Sequence, residues 1–504
     1  MGEVRPDSSA IVIAEAPGPQ EVRRGYPMAG YSGTQLEEGL QRGGLSRQEV
    51  SVTNTLLCLA PTELNKYLDT LRAPWKAAVE REREAAKKEK RRPNLPKAPL
   101  TPIECCKPRL ERDIKESGAT SIIALGGHAL RHSAERAGLR YAGKKTAAGE
   151  PVVATIMDQH GSPIEVPKIG WNVRDTRAAD DKIKFILPSL HPAFGNRTKN
   201  YKHVIRDDIA RAAEIALAGE IGWSWPEFIL DPDIDTVEAV CRQYVKFAGQ
   251  PGCEVACDIE TDAKEWWRAR VRLVQFHAKL PENPFTNSDE LVIAVPFLWR
   301  DGRHCWSDRE TRQRAWDAVK LVIDRCAIVG QNFYAYDIPV LARHGAITDR
   351  GMLCRDLMLA HKNTIECDLP HGLGFITKRC FPVPLWKSNV DHKVSDNADS
   401  DRDYRIYGCE DATATGRAWG IMKEHVKDGG FEKQFRIDSR KGPAISQMCE
   451  MGMIINERDR GRYAALYHKI AGALSRLFVQ EAGVDINPNS SDQVKSWLYK
   501  DLGY

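Results

Sequence analysis

Carboxylate side chains recur in three short motifs in the second half of the chain. Asp258 and Glu260 lie two residues apart in a strand-like segment, Asp337 follows a short apolar run, and Asp411 comes four residues after Tyr407 in a helical pattern. Strand alternation places the first pair on one face, and helical spacing places Tyr407 and Asp411 on one face. Four carboxylates held together would repel each other strongly unless divalent cations neutralise them. Such oxygen ligands favour Mg²⁺ or Mn²⁺, and two ions can clamp both reacting oxygens of a phosphodiester.

A second set of polar residues follows strand-like segments in the first half of the chain. Glu15 comes directly after the first apolar run, Asn54 after the second, and His191 after the last. Ligands bind outside the carboxyl ends of strands in an open parallel sheet, so we expect a pocket there. Residues 25–30, which include Met28, would form a tight apolar loop able to cover a flat ring.

The elements that position these residues are predicted from patterning. Residues 1–220 alternate short apolar runs with helical patterns, which indicates an α/β domain with a parallel sheet and helices on both faces. The runs lie at residues 10–13, 50–52, 121–125 and 184–187. A charged insertion at about 66–101 predicts a solvated helix that has Pro74 in its first turn.

The rest of the chain divides into three further segments. Residues 221–234 are predicted to be a linker, because they contain prolines and have no periodicity. In residues 235–427 strands precede helices, which indicates a mixed sheet with helices. Residues 428–504 are predicted to be helical, with breaks near Gly452 and Pro488.

Composition narrows the class of protein but not its function. The 504 residues carry a net charge of +4, which hints at a polyanionic partner without deciding it. No apolar run reaches the length of a membrane span, and the first ten residues lack a signal core. Thirteen cysteines without a C-x-x-C spacing argue for a reducing compartment. We therefore expect a cytoplasmic protein.

The carboxylate motifs resemble those of the DEDD 3′–5′ exonucleases, in the tyrosine-containing form found in family A DNA polymerases. The resemblance rests on residues 258–261, 332–337 and 407–411, with the flanking RLVQF, NFYAYDIPVL and CRDLMLA segments. It implies a ribonuclease H-like fold in which Asp258, Glu260 and Asp411 hold two metal ions directly. It also implies that Asp337 acts through water and that Tyr407 orients the attacking water. Asn332 would contact the single-stranded 3′ end of DNA.

Residues 10–215 resemble the uracil-DNA glycosylase superfamily, especially its family 4 members. The resemblance includes the strand-end motifs and the segments ALGGHAL and RDDIARAAEIA. It implies that a flipped uracil is read at its polar edge by Asn54 and that His191 stabilises the departing anion. Glu15 would lie in the water-activating motif, with Pro17 and Gly18 beside the uracil.

Two features depart from the family pattern. Met28 stands where a stacking Phe is expected, and a thioether packs on a base less rigidly than a ring. Cys58 and Cys106 occupy two of the four iron–sulfur ligand positions, and no Cys precedes Cys58. Two ligands cannot hold a four-Cys cluster, so we expect none. The alternative to glycosylase activity is therefore a DNA-binding or uracil-sensing module that does not cut.

The last segment resembles the opening of a family A polymerase domain. Asn487, Ser490 and Gln493 follow the N-x-x-S-x-x-Q pattern that introduces a thumb helix in that family. A generic capped amphipathic helix, or a tail that docks a partner, are the alternatives. We interpret the chain as the N-terminal part of a DNA polymerase, of bacteriophage origin and located in the host cytoplasm. Its expected partners are DNA and a remaining polymerase domain on the same or another chain.

Overall fold

The computed structural model describes residues 2–60, 64–89, 91–141, 152–166, 181–349, 351–364, 366–386 and 398–503. The chain divides into two compact units, Met1–Ser446 and Gln447–Tyr504. The described strands are β1 (Ala10–Ala14), β2 (Val50–Asn54), β3 (Ser121–Leu125), β4 (Arg140–Tyr141), β5 (Val152–Val153), β6 (Ile164–Glu165), β7 (Phe185–Ser189), β8 (Val255–Thr261), β9 (Val271–Lys279), β10 (Glu290–Pro296), β11 (Ile328–Gly330) and β12 (Arg355–Asp356).

The described helices alternate with the strands in the larger unit and make up most of the smaller one. They are α1 (Pro19–Arg24), α2 (Tyr31–Arg42), α3 (Leu64–Lys88), α4 (Pro102–Ser117), α5 (Gly127–Arg136), α6 (Ile156–Gln159), α7 (Pro192–Arg197), α8 (Lys202–Ala218), α9 (Ile234–Lys246), α10 (Arg309–Arg325), α11 (Asp337–Arg343), α12 (Leu357–Lys362), α13 (Leu373–Cys380), α14 (Ala398–Asp428), α15 (Glu432–Met451), α16 (Glu457–Ala482) and α17 (Ser491–Ser496).

The first sheet has the strand order β2-β1-β3-β7-β6, and only β6 is antiparallel. Its four parallel strands are buried on both faces, as their continuous apolar runs require. Alternate residues of β1 face opposite layers, so that Val12 packs with α2 and α8 and Ile13 packs with α4 and α5. The predicted parallel sheet with helices on both faces is confirmed.

The second sheet has the strand order β10-β9-β8-β11-β12. Strands β8, β9 and β10 pair antiparallel, whereas β8, β11 and β12 pair parallel. Helices α9 and α10 cover one face through Val240 and Val319, and α14 covers the other through Ala414 and Ala418. The predicted mixed sheet is confirmed, and its central strand β8 carries the first carboxylate motif.

The segment predicted as a linker packs along the edge of the second sheet. The backbone N–H of Ile229 donates to the Val292 carbonyl at 3.0 Å, and the Ala294 N–H donates to the Ile229 carbonyl at 3.0 Å. Trp223 and Trp225 pack partly buried against the same domain. Apolar side chains at these positions explain why the segment adheres to the sheet despite its prolines.

The two sheets share packing through α13. Phe375 of α13 and Leu369, which lies just before α13, follow the strands of the second sheet in the chain. Both side chains nevertheless belong to the apolar core beneath the first sheet. At the other end of the larger unit, α15 is packed so closely that a Cβ on Gly442 would lie 2.6 Å from the Tyr334 ring. Residues 432–446 therefore belong to the larger unit, beyond the boundary predicted at 427.

The insertion forms a longer helix than its sequence suggested. Helix α3 begins at Leu64, so Pro74 lies in the helix interior and the prediction that it opens the helix is wrong. An interior proline removes one backbone hydrogen bond of the helix. The 25-residue helix nevertheless continues on both sides of Pro74. The helix has few buried side chains, as its charge pattern predicted.

The smaller unit is helical, as predicted. Ser490 caps α17 by accepting the Gln493 N–H at 3.4 Å, and the Gln493 side-chain oxygen accepts the Asn487 N–H at 2.7 Å. The three residues of the thumb-like pattern thus interact with one another to start the helix. No helix in the described ranges is long and apolar enough to cross a membrane.

Candidate active sites

Three of the four carboxylates predicted to lie together converge where α14 packs on the second sheet. One ligand oxygen each from Asp258, Glu260 and Asp411 lie within 4.8 Å of one another. Within the described ranges, no other group of three or more potential metal-ligating side chains lies this close together. Asp258 and Glu260 are half-buried and Asp411 is buried, so solvent screens their mutual repulsion only in part.

Close packing of α14 on the sheet produces this convergence. Asp258 and Glu260 share one face of β8, and Gln275 lies opposite Asp258 on β9. A Cβ on Gly408 would lie 2.2 Å from the Gln275 side-chain nitrogen, so a larger residue there would have to displace the buried Gln275 side chain. The approach brings Asp411, one helical turn beyond Tyr407, over the two strand carboxylates.

Tyr407 lies beside the cluster and is buried. Burial raises the pKa of its phenol well above the ordinary range, and the charges of Asp411, Glu260 and Asp258 raise it further. Its hydroxyl is hydrogen-bonded to Asp411. The phenol therefore remains protonated and acts as a hydrogen-bond donor to the Asp411 carboxylate.

Asp337 is buried at the first position of α11, next to the cluster but outside the group of three. Burial raises the pKa of its carboxyl group well above the ordinary range, and the charges of Asp356 and Glu260 act in the same direction. The charge of Glu260 therefore acts on Asp337, although the Asp337 carboxylate does not belong to the group formed by the other three carboxylates.

Two aromatic residues that sequence reasoning missed hold the carboxylates in place. The Trp386 indole N–H donates to Asp411 Oδ1 at 2.5 Å, and the Tyr404 hydroxyl donates to Glu260 Oε2 at 2.9 Å. Tyr404 lies three residues before Tyr407, so helical spacing could have revealed it. Trp386 is far from Asp411 in the chain, and no local pattern signals that contact.

Asp356 organises the backbone beside Asp337. Its buried carboxylate accepts the N–H groups of Asn332 at 3.1 Å and Phe333 at 2.8 Å, and it also caps α12. Burial raises the pKa of Asp356, while these backbone hydrogen bonds oppose the rise. Asn332 has a φ of +58° and an exposed side chain, so this anchoring holds an uncommon backbone conformation.

Asn54 lies at the carboxyl end of β2, at the edge of the first sheet where the sequence predicts a ligand pocket. Its side chain is 1% exposed, and neither its Oδ1 nor its Nδ2 has a hydrogen-bond partner among the described residues. Native proteins pair nearly all buried polar groups, so an amide without partners points to a ligand or water that fills the place. The Arg109 guanidinium fixes its backbone by donating to the Asn54 carbonyl at 2.6 Å and to Thr53 Oγ1 at 2.6 Å.

Glu15 follows β1 and His191 follows β7, two parallel strands of the first sheet that are separated by β3. Burial lowers the pKa of His191, and the charges of Glu15 and Glu21 oppose this without reversing it. The imidazole is therefore neutral at neutral pH. Its Nδ1 accepts the Ala193 N–H at 3.2 Å at the start of α7, which assigns the proton to Nε2.

The loop that carries Met28 is held by Glu21. The Glu21 carboxylate accepts the backbone N–H groups of both Gly18 and Met28. Met28 is 2% exposed and packs in the core beneath the first sheet, with a φ of +53°. Pro17 is buried and Gly18 half-buried, so the whole loop is closely packed.

The two cysteines at candidate cluster positions differ in exposure. Cys58 is exposed and Cys106 is half-buried. Neither belongs to the grouped metal-ligating residues found in the described ranges.

Among solved structures, Brucella melitensis NrnC is similar to this chain at 20% identity with a TM-score of 0.30. The similarity covers 45% of this chain and 93% of NrnC. NrnC has also been solved with bound Mg²⁺. At these values, support for nuclease chemistry in this chain has to come from its own carboxylates.

The sequence comparisons match the N-terminal part of the chain, which contains the first sheet. The Type-4 uracil-DNA glycosylase of Sulfurisphaera tokodaii is 21% identical over 217 residues, which cover 43% of this chain and 74% of that protein. The Type-4 uracil-DNA glycosylase of Thermotoga maritima is 33% identical over 61 residues, or 12% of this chain and 32% of that protein. The sequence model of the Uracil DNA glycosylase superfamily matches residues 1–210. Residues 1–210, which form the first sheet and its helices, are therefore similar to the uracil DNA glycosylase superfamily.

Proposed function

We propose that this chain is a metal-dependent 3′–5′ exonuclease that hydrolyses DNA phosphodiesters. The observation that carries the proposal is the convergence of Asp258, Glu260 and Asp411 within 4.8 Å. Three partly desolvated carboxylates at this separation favour binding of a cation over an empty site. Each offers hard oxygen ligands, so the donor set fits Mg²⁺ or Mn²⁺.

Each residue of the site has a role in this proposal. Asp258, Glu260 and Asp411 would hold two ions, which when bound lower the cost of charge on the phosphodiester oxygens. Tyr407, which its surroundings keep protonated, would orient the attacking water. Asp337 would contact the metal ions through water. Tyr404 and Trp386 fix the carboxylates that they contact, and Asn332 meets the DNA end.

A direct experiment follows single-stranded DNA labelled at its 5′ end in Mg²⁺ and in EDTA. We expect stepwise shortening from the 3′ end in Mg²⁺ alone, because removal of the cation leaves the carboxylates unscreened. DNA of unchanged length in both conditions would reject the exonuclease proposal.

The similarity of residues 1–210 to the uracil DNA glycosylase superfamily supports a second function, recognition of uracil. The supporting observation is the buried amide of Asn54, whose donor and acceptor match the edge of a uracil. His191, with its proton on Nε2, would donate to the departing uracil anion, and Glu15 would position water. Pro17, Gly18 and Met28 would line the pocket, with Met28 replacing an aromatic platform.

Uracil-containing and cytosine-containing DNA distinguish cleavage from binding. Alkali after incubation reveals abasic sites if the domain cleaves, and we expect them in uracil DNA alone. Binding that prefers uracil DNA without abasic sites would support the non-catalytic alternative. Equal binding of both DNAs without cleavage would reject recognition of uracil altogether.

We further propose that the chain is the N-terminal part of a bacteriophage family A DNA polymerase. The supporting feature is the Asn487, Ser490 and Gln493 pattern at the start of α17. DNA and a remaining polymerase domain would be its partners. A source genome without a continuing or neighbouring reading frame for such a domain would contradict this proposal.

A further inference from the structure

A short loop with an exposed tryptophan directly follows the carboxylate strand. It occupies residues 262–270, between β8 and β9. Trp267 is 61% exposed, and of the tryptophans in the described ranges it alone has an exposed side chain. Because Trp267 lies in the loop that directly follows the carboxylate strand, its exposed ring is a candidate surface for stacking with a ligand of the proposed nuclease centre.

The loop is built rigidly at its start. The Tyr336 hydroxyl lies 2.5 Å from Thr261 Oγ1 and also donates to the Ala263 carbonyl. Tyr336 immediately precedes Asp337, so one side chain ties the loop to two of the carboxylate motifs. Thr261 follows Glu260 directly, which fixes where the loop leaves the site.

The loop is closed and supported at its other end as well. Arg270 pairs with Asp262 through its backbone N–H at 2.8 Å and its side chain at 2.7 Å. Arg343 donates to the Trp266 carbonyl at 2.5 Å. The ring of the partly buried Trp266 contacts Trp267 edge to face at 5.9 Å. Trp267 is therefore presented on a supported backbone.

The charges of the loop favour a polyanion. Lys264, Arg268 and Arg270 are all exposed. Arg268 pairs with Glu265 and Arg270 with Asp262, which leaves Lys264 without an ion pair to a described residue. An aromatic face beside a cation is the combination with which proteins bind single-stranded nucleic acid.

We propose that Trp267 is a stacking platform for a nucleobase near the 3′ end of single-stranded DNA, with Lys264 beside a backbone phosphate. The inference rests on the proposed exonuclease function for the identity of its ligand. Base stacking tolerates any sequence, because every base has a π-face. The platform would thus hold the strand end at the carboxylates without selecting its sequence.

The test measures binding of fluorescent single-stranded DNA by anisotropy in Mg²⁺, with phosphorothioate linkages at the 3′ end to slow hydrolysis. Trp267→Ala should weaken binding about ten-fold, and Trp267→Phe should retain most of the affinity. Leu217→Ala removes an exposed apolar side chain from α8 and should leave binding unchanged. Equal affinity of wild type and Trp267→Ala, or no DNA binding by wild type, would overturn the proposal.

An abasic substitution near the 3′ end identifies stacking as the cause. It should weaken binding by wild type but have little further effect on Trp267→Ala, because both changes remove the same contact. Independent, multiplying effects of the two changes would contradict stacking of Trp267 on that base.

The binding result and the nuclease result can fail separately. Loss of affinity in Trp267→Ala without any shortening of ordinary DNA by wild type would reject the exonuclease and retain the stacking site. Shortening by wild type with an unchanged KM in Trp267→Ala would reject the stacking site alone.

Discussion

The two sheets carry sites at comparable strand ends but with opposite chemical demands. In the second sheet, Asp258, Glu260 and Asp411 crowd negative charge into a space that cations would relieve. In the first sheet, Asn54 keeps a neutral donor and acceptor buried without partners among the described residues, and the neutral His191 follows β7 of the same sheet. The carboxylate site favours binding of cations, whereas the Asn54 site favours a ligand that can form hydrogen bonds with the amide. Strand-end position alone therefore does not specify chemistry.

The two sites also differ in how their backbone is fixed. Asp356, a buried anion, gathers the N–H groups of Asn332 and Phe333 beside the carboxylates. Arg109, a cation, instead binds the carbonyl of Asn54. In each case the supporting residue comes from an element distant in sequence, so each site depends on the whole fold around it.

The largest expected effect comes from breaking the charged site. Asp258→Asn should reduce Mg²⁺-dependent shortening of DNA by more than about 100-fold, since even residues that only support metal ligands cost 10–100-fold. Its melting temperature in EDTA should equal or exceed that of wild type, because the change relieves repulsion.

Asp324→Asn is the matched control for that variant. Asp324 pairs with Lys320 on the surface of α10 and lies outside the cluster, so nuclease activity should not change. Normal activity in Asp258→Asn would sink the assignment of the carboxylates.

A large effect on stability is expected where the two regions meet. The Glu366 carboxylate accepts from Arg379 at 2.7 Å, from His361 at 2.9 Å and from His203 of α8 at 3.1 Å. Burial acts to raise its pKa, but these hydrogen bonds prevail and hold the pKa of Glu366 well below the usual range. Glu366→Gln should therefore lower the free energy of unfolding by about 3 kcal/mol at neutral pH, measured by denaturant titration.

The pH dependence of that loss has a defined sign. A depressed carboxyl pKa stabilises the fold above the pKa of the unfolded state, and the stabilisation is lost as the pH falls. The difference between wild type and Glu366→Gln should thus shrink below pH 4.5, the ordinary value for a glutamate. A difference that stays constant from pH 7 to pH 3 would show that the ion pairs are not its cause.

A smaller effect sharpens the role of Tyr407. Tyr407→Phe keeps the ring and all four carboxylates, so the metal affinity should change little. The rate of DNA shortening should fall about 10–100-fold, because the water loses its orienting hydroxyl. An unchanged rate, or a loss of metal binding equal to that of Asp258→Asn, would contradict this role.

The smallest effect tests the neutral site through stability. Asn54→Leu removes a buried amide that has no partner and should raise the free energy of unfolding by about 1–3 kcal/mol. The same variant should lose any preference for uracil-containing DNA in a binding assay. A destabilised variant that still prefers uracil would show that Asn54 serves structure and not recognition.

The sequence predicted the parts of both sites that depend on local periodicity. Strand alternation placed Asp258 and Glu260 together, helical spacing placed Tyr407 beside Asp411, and the order of apolar runs predicted two sheets. These relationships hold because each is set within one element. The meeting of all three motifs was implied by the resemblance, and the structure groups the carboxylates of two of them, Asp258 and Glu260 with Asp411.

Contacts between distant segments could not be predicted in the same way. Trp386 bonds to Asp411, and Phe375 packs beneath the first sheet, without any signal in the neighbouring residues. The packing of Met28 in the core beneath the first sheet likewise has no signal in its neighbours. Pro74 was expected to open a helix that in fact begins at Leu64. Each of these depends on tertiary packing, which composition and periodicity do not encode.

The most direct test of the central claim is Mn²⁺ binding followed by electron paramagnetic resonance. Wild-type protein should bind two Mn²⁺ ions per chain, Mg²⁺ should displace them, and Asp258→Asn should bind fewer ions or bind them much more weakly. Equal binding by wild type and Asp258→Asn, or no saturable binding by wild type, would contradict a metal centre built from Asp258, Glu260 and Asp411.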